Sequence, residues 1–201
     1  MEIYLVRHTT PAVEKGICYG QTDLDVTESF ITEANIIKEV LPLNIKHVYS
    51  SPLQRCSKLA AHLFPDTIIQ LHNDLMEINC GQWEMQRWDD IPKEHINPWL
   101  DDFVNIRTPQ GENYVDLFER VRITFNQILT NPLPAAIVAH GGVIRSILTH
   151  ITNTPLIDSF KVFNLHYGCV VKIVTDKETL QHSILSNIPH GKETHKPTRR
   201  L

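Results

Sequence analysis

The sequence lacks the features that mark several classes of protein. Four of its 201 residues are cysteines (Cys18, Cys56, Cys80 and Cys169), and no pair has Cys-x-x-Cys spacing. This argues against a disulfide scaffold or a zinc ribbon and favours free thiols in a reducing cytoplasm. Apolar runs are also short: residues 3–6 are too few for a signal peptide, and none approaches the ~20 residues of a membrane span. We therefore expect a cytoplasmic protein that does not enter a membrane.

An excess of positive charge is also lacking. The 19 lysines and arginines are outnumbered by 23 aspartates and glutamates, which gives a formal net charge of −4. Nucleic acids and anionic membranes are bound by basic surfaces, so we expect neither as a partner. Hydrophobic residues (42%) and charged residues (21%) occur in proportions that are ordinary for a globular domain, which excludes a disordered chain.

Apolar segments of strand length recur along the chain. We predict strands over residues 2–7, 47–50, 68–71, 135–139, 162–166, 169–175 and 181–187. The pair Tyr167-Gly168 indicates a hairpin turn, so at least one strand should run antiparallel to its neighbour.

Apolar residues at helical spacing predict four main helices between these strands. They cover residues 31–41 and 52–64, a segment that begins near Glu112, and residues 142–151. Ser51 is a typical N-cap, and Pro52 suits the first helical position. The alternation of strand and helix predicts an α/β fold: a three-layer α/β/α sandwich with a mostly parallel central sheet.

The stretch 83–109 fits no strand–helix unit. It holds all three tryptophans, and we interpret it as an inserted helical segment over one end of the sheet. Core packing is the expected use of at least two of these tryptophans. We thus predict a single domain over residues 1–190, followed by a polar, disordered tail over 191–201.

Charged and polar residues follow the predicted parallel strands. Arg7-His8 comes after the first strand, Arg55 lies soon after the second, and His140-Gly141-Gly142 follows the strand 135–139. Glu77 lies in the short segment 75–78. Since α/β sheets bind ligands beyond the carboxyl ends of their strands, we expect these residues to meet at one edge of the sheet.

Such a set of residues is suited to phosphoryl transfer. The planar fork of arginine binds a phosphate in bidentate fashion, and the Gly141-Gly142 turn leaves N–H groups at a helix N-terminus for an anion. A neutral imidazole can attack phosphorus, while a carboxylic acid protonates the departing oxygen. No Walker-type or Asp-x-Asp-x-Asp-Gly loop is present, so we expect neither a metal nor another cofactor.

Five segments together resemble the histidine phosphatase (phosphoglycerate mutase-like) superfamily. They are LVRHTTP (5–11), GQTDLDVTE (20–28), SSPLQRC (50–56), LMEINCGQWEM (75–85) and VAHGGVIRS (138–146). The resemblance implies the phosphoglycerate mutase-like fold and a phosphorylated nucleophile at His8. It also implies a proton donor at Glu77, and phosphoryl or substrate contacts from Arg7, Thr9, Gln21, Thr22, Arg55, His140 and Gly141.

The sequence differs from the usual pattern of this family in two places. Thr9-Thr10-Pro11 stands where the family usually has Gly-Glu-Thr, and Glu14 stands where an asparagine is common. A carboxylate cannot donate to a phosphate, so that contact is lost or moves to Thr9 or Thr10. The sequences GQWEM (81–85) and PQGENYVDLFERV (109–121) look most like the α-ribazole-5′-phosphate phosphatases of cobalamin nucleotide-loop assembly.

These observations lead to one principal hypothesis and two alternatives. The principal hypothesis is a metal-independent phosphomonoesterase with a phosphohistidine intermediate and a small-molecule phosphate monoester, α-ribazole 5′-phosphate, as substrate. The enzymatic alternative is a phosphoglycerate mutase or another sugar-phosphate phosphatase. Only 62 residues separate Glu77 from His140, which leaves little structure to shield the site from water and favours hydrolysis. The non-enzymatic alternative is an inactive phospho-ligand binding protein on the same fold.

Overall fold

The structure, a computed structural model, describes residues 2–175 and 179–189. A six-stranded sheet lies at its centre with the strand order β3-β2-β4-β1-β5-β6. The strands are β1 (Glu2–Arg7), β2 (His47–Ser50), β3 (Ile69–Leu71), β4 (Ala135–Ala139), β5 (Val170–Thr175) and β6 (Leu180–Ser186). The helices are α1 (Phe30–Val40), α2 (Gln54–Leu63), α3 (Lys93–Asp101), α4 (Tyr114–Leu129), α5 (Gly141–Thr152) and α6 (Ser159–Val162).

The sheet is mixed and mostly parallel, which confirms the predicted fold class. Strands β1 to β4 pair in parallel, whereas β5 runs antiparallel to both β1 and β6. The carboxyl ends of β1, β2 and β4 therefore lie side by side at one edge of the sheet. Because β5 runs the other way, its first residues lie at this same edge, where the Arg7 N–H donates to the Cys169 carbonyl at 3.0 Å.

The predicted strand over 162–166 and the hairpin at Tyr167-Gly168 are wrong. Residues 159–162 form α6, and the chain then runs without regular structure to β5. The hairpin of the sheet instead joins β5 to β6. The physical reason is that the side chains of Arg145 and Arg7 donate to the carbonyls of Phe163 and Leu165, so this segment packs against α5 and the end of β1.

Helices cover both faces of the sheet, as predicted. Alternate residues of β1 point to opposite faces, so Ile3 and Leu5 pack with α4 and α5, while Tyr4 and Val6 pack with α1 and α2. Helix α5 is buried from its first residue through Thr149, which agrees with its apolar sequence.

Two helix starts differ from the prediction. Helix α2 begins at Gln54, so Ser51 is not its N-cap; the Ser51 hydroxyl faces the ring of His140 instead. Helix α4 begins at Tyr114, after a capping box in which Asn113 and Asp116 satisfy each other's backbone N–H groups. Glu112 therefore lies outside the helix and is free to bond elsewhere.

The tryptophan-rich segment forms short helical pieces around a third cluster of buried residues. It contains α3 and the 3₁₀ turn Trp88–Asp90, and its first residue ends the 3₁₀ turn Gly81–Trp83. Trp83 is buried with Cys18 and Cys80, and the other two tryptophans pack against this cluster. The tryptophan rings lie 5.7 to 6.4 Å from one another, centroid to centroid. These tryptophans thus build a local core. The predicted 1–190 domain range stays a prediction, and the tail 191–201 lies outside the described residues.

Across the described ranges, no helix has the length and apolarity needed to cross a membrane.

Candidate active site

The structure brings four basic side chains together at the carboxyl edge of the parallel strands. Arg7 ends β1 and His8 follows it; Arg55 lies in the first turn of α2, and His140 directly precedes α5. The His8 N–H donates to the Ala139 carbonyl at 3.0 Å, and the rings of His8 and His140 are 5.1 Å apart. All four side chains are buried, with at most 8% of Arg7 exposed.

His8 is oriented and neutral. Its Nδ1 lies 2.7 Å from the carbonyl oxygen of Thr9, which can only accept, so Nδ1 carries the proton and Nε2 keeps a lone pair. Burial, with the charges of Arg55 and Arg7, holds the pKa of His8 well below its ordinary value. The ring therefore has the protonation state that a nitrogen nucleophile needs.

His140 is neutral as well. Its Nε2 lies 2.8 Å from the Ser51 hydroxyl and 3.4 Å from the Cys56 sulfur. Burial and then the nearby charge of Arg55 hold the pKa of His140 well below its ordinary value. A neutral imidazole beside two arginines can offer an N–H to an anion without adding a further charge.

The two arginines are held by backbone carbonyls. Arg7 Nη1 donates to the carbonyl of Leu165 at 2.5 Å, while Arg55 donates to those of Thr22 at 2.8 Å and Gly20 at 2.6 Å. A carbonyl orients a guanidinium but carries no net charge. The positive charge at this edge is therefore preserved for an anionic ligand.

Glu77 lies against the N-terminus of α5. Its Oε2 accepts a hydrogen bond from the Gly142 N–H at 3.0 Å, and its Oε1 accepts from the Ile78 N–H at 3.1 Å. A Cβ on residue 142 would fall 2.2 Å from Oε1, so only glycine allows this approach. The prediction that both glycine N–H groups stay open to an anion is wrong for Gly142; the Gly141 N–H makes no hydrogen bond within the described residues.

The loop that carries Gln21 and Thr22 is organised by a carboxylate that the sequence reasoning missed. Glu84 accepts from the N–H groups of Gly20 and Gln21 and from the Thr22 hydroxyl, at 2.5 to 3.0 Å. Burial alone would raise the pKa of Glu84, but these bonds hold it below its ordinary value. Gln21 in turn donates to the Glu77 carbonyl at 3.0 Å, which ties the loop to the Glu77 segment. The GQWEM motif was the available signal for Glu84.

A second missed element supports the Glu77 segment. Arg120, on α4, donates to the carbonyls of Met76 and Glu77 at 2.7 and 2.9 Å. It also pairs with Glu112 at 2.8 Å, and Glu112 accepts from the Asn79 N–H at 2.9 Å. Arg120 and Glu112 thus brace the chain on both sides of Glu77. Nothing in the local sequence signals a pair eight residues apart.

The residues after His8 that differ from the family's usual sequence lie in different surroundings. Glu14 is exposed and forms an ion pair with Arg87 at 2.6 Å, so its carboxylate is engaged at the surface. Thr9 is fully buried, and within the described residues its hydroxyl has no hydrogen-bond partner. Thr10 instead binds Glu33 through its N–H at 2.8 Å. Thr9 therefore has a buried hydroxyl that can bind an anion. No group of three or more metal-ligating side chains occurs within the described ranges.

Comparisons with known proteins agree with this geometry. A probable phosphoglycerate mutase, GpmB, of Erwinia tasmaniensis is 29% identical over 167 residues, 77% of this chain and 76% of that protein. The α-ribazole phosphatase of Shigella flexneri superposes with a TM-score of 0.82 at 21% identity, over 92% of this chain and 95% of that one. A mycobacterial glucosyl-3-phosphoglycerate phosphatase gives 0.78 at 19% identity, over 91% and 96%.

At these identities the two solved structures establish the shared fold, not the substrate. The family comparison does identify the family: the model of the histidine phosphatase superfamily (branch 1) matches residues 3–187. The chain therefore belongs to the histidine phosphatase superfamily, whose phosphatases and mutases are enzymes of phosphoryl transfer.

Proposed function

We propose that this protein is a phosphomonoesterase that works through a phosphohistidine on His8. The observation that carries the proposal is the neutral His8 ring, whose Nε2 lone pair lies among two buried arginines and a second neutral histidine. The cations of Arg7 and Arg55 are placed to neutralise a phosphate. The enzyme therefore needs no metal ion to stabilise the transferring group.

The reaction has two steps. In the first, His8 Nε2 forms a bond to phosphorus as the ester P–O bond breaks, and the carboxyl of Glu77 gives its proton to the leaving oxygen. In the second, the Glu77 carboxylate takes a proton from a water molecule, which attacks phosphorus and breaks the P–N bond. Inorganic phosphate leaves and His8 is restored. Arg7, Arg55, His140, the Gly141 N–H and the Thr9 hydroxyl hold the phosphoryl oxygens throughout.

We propose α-ribazole 5′-phosphate as the preferred substrate, and we place the protein in the reducing cytoplasm. The GQWEM segment supports this substrate by its sequence resemblance, and an α-ribazole phosphatase is among the solved proteins that share the fold. In the structure this segment supplies Glu84, which organises the Gly20–Thr22 loop at the mouth of the site. The four cysteines are free and buried, which supports a reducing compartment.

A phosphoglycerate mutase is the second candidate. It is favoured by one observation, the 29% identity to a probable mutase over 167 residues. A mutase must keep the phosphoryl group on the histidine and return it to the glycerate, whereas a phosphatase passes it to water.

A substrate comparison tests the proposal. The protein is incubated with EDTA and α-ribazole 5′-phosphate, ribose 5-phosphate or 3-phosphoglycerate, and both phosphate release and 2-phosphoglycerate formation are measured. We expect phosphate release that EDTA does not suppress and a kcat/KM highest for α-ribazole 5′-phosphate. Equal kcat/KM values on all esters would reduce the assignment to a broad phosphatase. Isomerisation faster than hydrolysis would make the protein a mutase, and inactivity on every ester would leave a binding protein.

A further inference from the structure

Two tyrosines at the edge of the site have no part in the chemistry above. Tyr19 lies in the connection between β1 and α1, and Tyr167 lies in the turn that leads into β5. Their hydroxyl oxygens are 2.6 Å apart, so one phenol donates a hydrogen bond to the other. This bond joins residues that are 148 positions apart in the chain.

Each tyrosine ring also lies against one arginine. The Cζ atom of Arg7 is 4.1 Å from the centroid of the Tyr167 ring, and that of Arg55 is 5.6 Å from the Tyr19 ring. Both distances are within the range of a cation–π contact. The Tyr167 ring is also 5.4 Å from the ring of His8. The two arginines are therefore connected through the two tyrosines, in the order Arg7, Tyr167, Tyr19, Arg55.

The same two stretches of backbone supply the carbonyls that orient the arginines. The Leu165 carbonyl, which binds Arg7, lies two residues before Tyr167. The Gly20 carbonyl, which binds Arg55, belongs to the residue after Tyr19. The hydroxyl bond thus links the backbone that holds one guanidinium to the backbone that holds the other. Two buried like charges repel each other, so a link of this kind restrains their spacing.

We propose that Tyr19 and Tyr167 are positioning residues that fix the separation of the Arg7 and Arg55 side chains. The inference rests on the proposed function, in which these arginines hold the transferring phosphoryl group. Their spacing matters most when phosphorus is bonded to the entering nitrogen and the leaving oxygen at once, because the equatorial oxygens then spread apart. A misplacement of about 1 Å at such a site can cost ~10²-fold in rate.

The protonation state of Tyr19 supports the bond between the two hydroxyls. Burial, and then the neighbouring Tyr167, holds the pKa of Tyr19 well above its ordinary value. The Tyr19 phenol therefore keeps its proton at neutral pH, as the hydrogen bond requires.

Tyrosine-to-phenylalanine variants test the proposal, since they remove the hydroxyl bond and keep both rings. The set is Tyr19→Phe, Tyr167→Phe, the double variant, and Tyr4→Phe as the matched control. The Tyr4 hydroxyl also makes a hydrogen bond, to Glu2 at 2.5 Å, but it lies on β1 away from the arginines. The rate of phosphohistidine formation is measured in a single turnover. Binding of orthovanadate, which mimics pentacoordinate phosphorus, and of inorganic phosphate is measured by calorimetry.

We expect each single variant to form phosphohistidine about tenfold more slowly and to bind orthovanadate about tenfold more weakly, with phosphate binding changed by less than about threefold. The double variant should be no worse than either single variant, because both substitutions break the same bond. Tyr4→Phe should behave as wild type.

Three results would overturn the positioning role: single variants within about twofold of wild type in orthovanadate binding, losses that multiply in the double variant, or an equal loss in Tyr4→Phe. If the wild-type protein forms no phosphohistidine, the proposed function is wrong. The orthovanadate titrations would then still decide whether the tyrosines position the arginines. Should Tyr167→Phe fold poorly, the partly exposed Tyr19→Phe removes the same bond and gives the same answer.

Discussion

The two halves of the candidate active site are held in place by different means. Regular structure positions the cationic half, since its residues end β1 or begin α2 and α5; this half consists of Arg7, His8, Arg55 and His140. The acidic half consists of Glu77, which lies in a segment that is neither helix nor strand. Arg120 donates a hydrogen bond to the Glu77 carbonyl, and Glu112 and Glu84 accept bonds from the backbone N–H groups of Asn79 and Cys80, which hold that half in place.

The difference teaches how each half should respond to change. The main chain of the cationic half is placed by regular structure, so apart from the Tyr19–Tyr167 link it is disturbed mainly by substitution of its own residues. Glu77 is placed by bonds that other residues make, so it should also respond to substitutions elsewhere. The chemistry separates the halves too. Loss of cations slows the transfer of any phosphoryl group, whereas loss of the acid slows only esters whose leaving group needs a proton.

The largest expected effect belongs to the nucleophile in the cationic half. His8→Ala should lower the turnover of any phosphate ester by roughly 10⁴- to 10⁶-fold, as for other enzymes that lose a covalent nucleophile. Rapid quenching with labelled substrate should trap an acid-labile, base-stable phosphoryl group in wild type but not in this variant. A label that survives the substitution would place the nucleophile elsewhere.

Glu77→Gln should be next in size and should separate the two halves. Phosphohistidine formation from an alkyl phosphate should fall by ~10²- to 10⁴-fold, because an alkoxide leaves poorly without a proton. Formation from p-nitrophenyl phosphate should fall much less. The measurement is a single-turnover labelling rate with each ester. Equal losses on both esters would mean that Glu77 only positions the site and does not donate the proton.

Arg55→Lys should cost ~10²- to 10³-fold in kcat, because lysine keeps the charge but loses the planar fork. The loss should be the same for alkyl and aryl phosphates, unlike the loss in Glu77→Gln. Arg55 bonds to the carbonyls of Gly20 and Thr22, so thermal unfolding of the variant is compared with that of wild type to show whether the protein remains stably folded. A lysine variant with activity near that of wild type would mean that Arg55 does not bind the phosphoryl group.

Arg120→Met tests whether the acidic half depends on its remote support. Loss of the bonds to the Met76 and Glu77 carbonyls should slow labelling from an alkyl phosphate by about tenfold and leave p-nitrophenyl phosphate nearly unchanged. Arg122→Met is the matched control, because this arginine lies two residues away on α4 and pairs with Glu119 at the surface. Equal slowing of both esters, or an equal effect at Arg122, would contradict the division of the site into halves.

The smallest effect concerns stability in acid. Both site histidines have a folded-state pKa well below the ordinary value of 6.5, with burial as the first cause. The unfolded chain therefore binds protons that the folded chain does not, and stability falls as the pH drops below about 6.5.

Urea titrations between pH 7 and pH 5 measure this effect. The His8→Asn, His140→Asn double variant should lose stability less steeply than wild type, by at most about 1.4 kcal/mol per pH unit for each histidine. The same substitution at the exposed His95 is the control. A slope that is unchanged in the double variant would mean that the two rings are protonated in the folded state.

The sequence predicts that the cationic half comes together, because its residues end a strand, directly follow one, or lie in the first turn of the helix after one. Once the strands ending at Arg7 and Ala139 are recognised, parallel pairing brings His8 and His140 together without further information. The fold class follows from the same alternation of strand and helix. These features depend on neighbouring residues and on the general behaviour of parallel sheets.

The rest depends on contacts between residues that are distant in the chain. The apolar residues of 162–166 predict a strand, but Arg7 and Arg145 bind this segment's carbonyls from outside it. Ser51 looks like an N-cap, yet its hydroxyl is used by His140, 89 residues away. Arg120 looks like an ordinary helical arginine until the fold brings Glu77 beside it. A single sequence carries no local sign of such bonds.

The reversed direction of β5 has a consequence for the order in which the site is made. The site lies at the carboxyl edge of the parallel strands, so each of these strands brings to it the residues that follow the strand. Strand β5 runs the other way and brings the residues that precede it, namely Leu165 and Tyr167. Every side chain assigned to the site therefore occurs at or before Tyr167. As the chain leaves the ribosome, the full set of reactive groups is present before β5 and β6 are synthesised. These last two strands complete the sheet around a site whose own residues have already been made.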